Sequence, residues 1–364
     1  IFSLMPQRSP GNVSRPRLFR LTPRTSPGNV SRPLAFHAAT LTTARTPLPD
    51  RAELRLQWTR QALGDPEAPL ERASNDASFR SYWRARSAGR DWIVMDAPPD
   101  KEDIRPWLEV AGRLAERGFV LMEDLGNRTL LPELSATSAD RLYGEAMDAL
   151  LAMQLRADAS GLPDYDEARL VAEMELMPEW FLKRHLGFVP GCEQWDVVES
   201  AFRALVTSAQ SQPQVFVHRD YHSRNLLVTG VASPGVIDFQ DAVRGPVTYD
   251  LVSLLRDCYI EWPADRVQGW ALDYREKLAT AGFAVPGEAA FLRAFDLMGL
   301  QRHIKVLGIF CRLWYRDGKA GYLMDLPLVW KYVREVGARH AETAPLVALL
   351  ESAIAGRDLT LPAP

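Results

Sequence analysis

The chain has 364 residues, 47% of them hydrophobic, and a formal charge of −3, enough to bury one sizeable core or two modest ones. The charge is uneven: residues 1–49 hold seven arginines and no Asp, Glu or Lys, so the remainder carries about −10, which argues against nucleic acid as a partner. Three cysteines, Cys192, Cys258 and Cys311, stand far apart in apolar surroundings and predict buried thiols of a reducing compartment. No apolar stretch approaches membrane-span length. The expectation is a cytoplasmic protein with no membrane partner and an undetermined oligomeric state.

Residues 1–47 differ from the rest. The octapeptide Ser-Pro-Gly-Asn-Val-Ser-Arg-Pro occurs at Ser9–Pro16 and again at Ser26–Pro33. Pro, Ser, Arg and Gly dominate without helical or strand periodicity, which predicts a disordered extension. Its acid-free, Arg- and Ser-rich composition matches a transit peptide, and a basic arm could meet anionic lipid. The crude duplication favours a misplaced start or an unselected extension.

Two lobes are expected after it, 48–125 and 126–364. Asp50 is placed to cap a helix with Leu54, Trp58 and Leu63 on one face, stopped by Gly64 and Pro66. Arg72 to Arg86 reads as two strands around a turn at Ser74, Asn75 and Asp76, and Trp92 to Met95 as a third strand. Glu102 to Glu116 reads as an amphipathic helix leading almost directly into a strand, Phe119 to Met122. Met122, Glu123, Asp124, Leu125 and Gly126 then end that strand in an acidic turn.

From Ser138 onward the pattern is helical. Helices are predicted over 140–156, 167–186, 196–209, 248–259, 265–279, 287–315 and 328–340. Gln301, Arg302 and His303 fall inside the long apolar helix, where polar groups must find partners.

Between these helices lies the informative stretch, 215–251. Val215–Val217 reads as a buried strand ending in His218-Arg219-Asp220; Asn225 follows, then Leu226–Val228, a Gly/Ser/Pro turn, and Val236-Ile237 ending in Asp238. A hairpin here delivers Asp220, Asn225 and Asp238 to one region. Phosphoryl transfer needs a carboxylate to receive a hydroxyl proton and hard oxygen ligands for magnesium. Asp220 suits the first role, Asn225 and Asp238 the second. The spacing H-x-D-x-x-x-x-N, a strand, then Asp-Phe-Gln is that of a kinase catalytic loop.

The stretch resembles the aminoglycoside phosphotransferase and choline kinase superfamily, and more narrowly the bacterial anomeric N-acetylmuramate and N-acetylglucosamine kinases. The narrower likeness rests on His218–Tyr221, on Asp238–Ala242 with Gly245–Asp250, on Val94–Pro99, and on Asp296–Gly299 with Gln301–His303. It spans roughly residues 50–345. It implies an α+β, protein-kinase-like two-lobed fold, with a small antiparallel N-lobe and a larger helical C-lobe.

It also implies ATP and Mg2+ as cofactors and an amino sugar as the acceptor. In that reading Ser74, Asn75 and Asp76 cover the phosphates and Met122, Glu123 and Leu125 form the adenine hinge. Asp250 and His218 brace the catalytic loop. Asp241 assists at the metal or touches the sugar, and Gln301, Arg302 and His303 contact sugar. The chain departs from the pattern twice: the third strand has no phosphate-binding lysine, leaving Arg80, Arg84 or Arg86 as replacements, and the N-lobe is short by one strand before Phe119. Competing readings are a kinase of an aminoglycoside or amino alcohol, and an inactive ATP-binding pseudokinase.

Overall fold

The computed structural model describes residues 50–75, 80–98, 115–116, 119–230 and 233–362. The N-terminal extension, Asp76 and the helix expected from Glu102 as far as residue 114 lie outside this set.

Helix α1 spans Arg51–Leu63 and ends at Gly64, whose φ of 64° is a left-handed conformation in which a side chain would be strained. Its buried face is not the predicted one. Arg55 and Thr59 are the buried residues, while Leu54, Trp58 and Leu63 are only partly covered. The reason is Asp96, 3% exposed at the end of the third strand. It accepts from Arg51 Nε and Nη2 at 2.9 and 2.6 Å and from Arg55 Nη1 at 2.7 Å. Arg55 also lies over the Trp83 ring, 3.6 Å from its centroid. A charge-assisted clamp therefore seats this helix on the sheet.

The sheet contains β1 (Leu70–Asn75), β2 (Ser81–Ser87), β3 (Arg90–Asp96), β4 (Ala115–Glu116) and β5 (Phe119–Glu123), antiparallel in the order β1-β2-β3-β5-β4. Two expectations change. Ser74 and Asn75, expected in the turn, are paired with Tyr82 and Ser81 inside β1 after a bulge at Ala73. Ala115 and Glu116 are not the end of a helix but a two-residue edge strand paired with Val120 and Phe119.

The helical part is built from α2 (Leu130–Glu133), α3 (Ala139–Arg156), α4 (Glu167–Met174), α5 (Cys192–Gln210), α6 (Tyr249–Leu255), α7 (Ala264–Thr280), α8 (Glu288–Tyr315), α9 (Leu326–Gly337) and α10 (Ala344–Ile354). The single helix predicted over 167–186 is divided: a π-helical stretch, Met177–His185, follows α4, with Pro178 in its first turn. Proline donates no backbone hydrogen bond, and the register changes there.

Every residue from Leu297 to Gly308 in α8 is buried, so this helix is a central post surrounded on all sides, and its polar residues must find partners within the core. Of the cysteines, Cys258 and Cys311 are buried as expected, but Cys192 is exposed at the start of α5. No helix among the described residues is long and apolar enough to cross a membrane.

Candidate active site

Strand β6 (Gln214–Val217) pairs antiparallel with β9 (Val243–Pro246), and β7 (Leu226–Leu227) with β8 (Gly235–Val236). The predicted hairpin is thus β7–β8, with Leu226 opposite Val236. The chain leaving the acidic turn runs beside it: Val228 N donates to Arg128 O at 2.8 Å, and Thr129 bridges Leu227. Leu125 packs so closely on β8 that a Cβ at Gly235 would sit 2.8 Å from Leu125 Cδ1. Met122 and Glu123 still belong to β5, opposite Ile93 and Trp92, and Asp124 N donates to Asp91 O. Of the expected hinge, Leu125 therefore abuts the β7–β8 hairpin.

The loop after β6 is tightly held. Asp250, wholly buried at the start of α6, accepts from His218 N at 2.6 Å and Arg219 N at 3.0 Å, one bond to each carboxylate oxygen. Burial pushes its pKa up to about 7 against these two bonds, which favour the charged form. Asp250 thus ties two consecutive amides of the loop to the start of α6. A simple helix cap would not reach two consecutive amides of another segment.

His218 completes the support. Its Nε2 meets Ile237 O at 3.0 Å and its Nδ1 accepts from Asp220 N at 3.3 Å, which fixes the neutral tautomer protonated on Nε2. Burial lowers its pKa to about 4. The linkage has a definite sign. Between pH 6.5 and 4 the unfolded histidine binds a proton that the folded one refuses, so this residue removes stability as pH falls. Asp250, raised towards 7, acts oppositely, its contribution being lost as pH rises through that value. The expected result is therefore a difference: on acidification from neutrality to pH 4, the wild type loses on the order of 3 kcal/mol relative to His218→Gln. Denaturant melts at both pH values measure it, and parallel losses in the two proteins would refute the assignment.

Within this frame Asp220, Asn225 and Asp238 come together. Asn225 Nδ2 donates to Asp220 O at 3.0 Å and faces Asp238 Oδ2 at 3.4 Å, while Gln240 Nε2 donates to Asp238 Oδ1 at 2.8 Å. Arg219 and Asp238 have φ of 75° and 66°, unusual for residues with side chains, and such strain concentrates where a side chain must be aimed. Burial would raise the Asp220 pKa, but Lys305, then His222, His218 and Arg219, hold it below the ordinary carboxylate range.

Lys305 was not singled out in the sequence. Its Nζ donates to Tyr249 OH at 3.2 Å and pairs with Glu173 Oε1 at 3.0 Å; Glu173 also pairs with Arg219 and accepts from Tyr165 OH. The available signal was a lone lysine inside the apolar run from Ile304 to Phe310.

The remaining predicted residues are dispersed. Asp241 is exposed, and its carbonyl accepts from Arg219 Nη1 at 3.4 Å. Gln301, Arg302 and His303 point about 100° apart around the helix, so they do not line one pocket. Gln301 is fully buried with neither amide atom partnered among the described residues. Arg302 donates to Cys258 Sγ at 3.3 Å, and His303 Nε2 meets Arg256 O at 3.0 Å while its ring stacks on Tyr332. Two proposed replacements for the absent lysine are also engaged: Arg84 with Asp124 and Arg86 with Asp91.

A family model described as the phosphotransferase enzyme family matches residues 69–290. The chain belongs to this family. Among curated relatives of this phosphotransferase, the N-acetylmuramate/N-acetylglucosamine kinase of Pseudomonas aeruginosa is 46% identical over 309 residues, covering 80% of this chain and 91% of that one. The protein of the same name from Pseudomonas putida is 45% identical over 306 residues, covering 80% and 90%. Among solved structures, an ethanolamine kinase of Plasmodium vivax superposes with a TM-score of 0.54 at 10% identity, covering 83% of this chain and 88% of that one. That likeness establishes the protein-kinase-like fold. The chain is accordingly a small-molecule kinase of the phosphotransferase family.

Proposed function

We propose that this kinase transfers the γ-phosphoryl group of ATP to the anomeric hydroxyl of N-acetylmuramate and N-acetylglucosamine, in the cytoplasm and in service of cell-wall sugar recycling. The observation that carries the acceptor is the 40–46% identity to kinases of that name from Pseudomonas and Neisseria, sustained over at least 80% of this chain. The chemistry is carried by Asp220, Asn225 and Asp238 standing around one loop end.

The donor set fits magnesium, which takes hard oxygens and keeps several waters, so one amide oxygen and one carboxylate suffice once phosphate oxygens join. Asn225 donates through Nδ2 to Asp220 O, which leaves Oδ1 as its ligand oxygen, and Asp238 supplies the carboxylate. The ion would neutralise charge on the transferring phosphates. Asp220 orients the sugar hydroxyl and accepts its proton. A carboxylate held below its usual range is a weak base towards a free alcohol, and this suits a loose transition state in which the proton leaves late. The hinge at Met122, Glu123 and Leu125 offers backbone groups to the base, with the end of β1 at Ser74 and Asn75 near the phosphates.

The purified full chain, given ATP, magnesium and either sugar, is expected to yield an acid-labile sugar 1-phosphate visible by phosphorus NMR. Asp238→Asn is expected to raise the magnesium concentration for half-maximal rate by about tenfold, as loss of one charged ligand implies. Absence of sugar 1-phosphate from both acceptors would sink the proposal.

A further inference from the structure

Arg224 stands between Asp220 and Asn225 in a loop coiled by His222 N donating to Asp220 O at 3.0 Å and Asn225 N donating to His222 O at 2.9 Å. It is exposed, yet its guanidinium lies flat on Tyr259, 3.4 Å from the ring centroid. Among the described residues it has no ion pair. Asp325 feels its charge but lies beyond pairing distance. The plate beneath it is itself fixed: Tyr259 meets His222 edge-on at 5.6 Å and stacks on Phe310 at 6.3 Å, and Phe310 packs on Tyr322 at 5.3 Å. A guanidinium held by a ring rather than by an acid keeps its forked donors for an anion and loses little freedom in binding one.

Two anions come within reach of this loop, a nucleotide phosphate and an acceptor carboxylate. Geometry favours the second. The groups suited to phosphate and metal, Asn225 and Asp238, flank the β7–β8 hairpin at the end away from its turn. Tyr259, Phe310 and Tyr322 belong to the helical side. The two sugars of the proposed reaction differ by the 3-O-lactyl group of N-acetylmuramate, which ends in a carboxylate. C1 and C3 share one ring, so an anomeric hydroxyl at Asp220 places that group within the span of the four-residue turn carrying Arg224. We infer that Arg224 reads the lactyl carboxylate with a bidentate pair and sets the preference between N-acetylmuramate and N-acetylglucosamine, an inference that rests on the function proposed above.

The test compares kcat/KM for both sugars, and for the carboxamide of N-acetylmuramate, in wild type, Arg224→Gln and Arg224→Lys. Arg224→Gln is expected to lower kcat/KM for N-acetylmuramate about 10- to 100-fold more than for N-acetylglucosamine, the size of a charge-assisted pair. Arg224→Lys should restore part of that ratio. The wild type should treat the carboxamide as the variant treats the acid. Equal losses for both sugars, an unchanged ratio, or an effect confined to the KM for ATP overturns the inference while leaving the proposed function standing. A wild type that phosphorylates neither sugar overturns both.

Discussion

Asp220→Asn is expected to lower kcat for sugar phosphorylation by about 10²- to 10⁴-fold, the range associated with removing a positioned proton acceptor. The substitution keeps the shape of the side chain. Loop supports that do not involve the Asp220 carboxylate, the Asp250 bonds to His218 and Arg219 and the His218 bond to Ile237, stay intact. The KM for ATP should therefore change little and the melting temperature by a few degrees at most. A variant that retains more than a tenth of wild-type kcat, with chemistry shown to limit the rate, would remove Asp220 from the reaction. Lys305 sharpens the expectation: its ammonium is held charged because Tyr249 and Glu173 outweigh the burial that would lower its pKa. An amide at 220 leaves that charge facing one carboxylate fewer, so the loss extends beyond the transferred proton.

The largest stability effect is expected at Gly308. Here α8 crosses the chain at Leu176, just before the π-helical stretch, and a Cβ would lie 2.5 Å from the Leu176 carbonyl oxygen and 2.6 Å from its Cβ. Gly308→Ala adds about 1 kcal/mol of helix propensity. It also forces backbone against backbone at the centre of the fold, and the expected net loss is roughly 3 kcal/mol, seen as a lower denaturation midpoint or as insoluble protein. Gly299→Ala is the control. Its Cβ would meet Val252 Cγ2 at 2.7 Å, a side-chain methyl rather than backbone, and should cost less than the change at Gly308. Equal losses at the two positions would show that Leu176 moves aside.

The parts of the site legible in the sequence are those whose partners are close along the chain. Asp220, Asn225 and Asp238 fall within one hairpin, and apolar runs mark its strands. Elements fixed from afar were not legible. The buried face of α1 is set by Asp96, 41 to 45 residues away, so an arginine and a threonine displace the leucines that periodicity favours. Glu173, Arg219 and Lys305 form one partly buried charge cluster drawn from three segments, and none of those segments marks it. Gln301, Arg302 and His303 were legible as polar residues requiring partners, but helix geometry sends them to different ones.

The stitching around the acidic turn fixes where bending between the sheet and the helical part can occur. Asp124 is tied to the sheet through Asp91 O and the Arg84 pair, and Arg128 and Thr129 are tied to β7. Only residues 125–127 remain to act as a pivot, with Gly126 at a φ of 87° in the middle and Leu125 wedged on Gly235. A pivot of three residues seated on the β7–β8 hairpin makes the sheet a short-handled lever: rotation about it would swing the far strands widely while barely displacing Asn225 and Asp238.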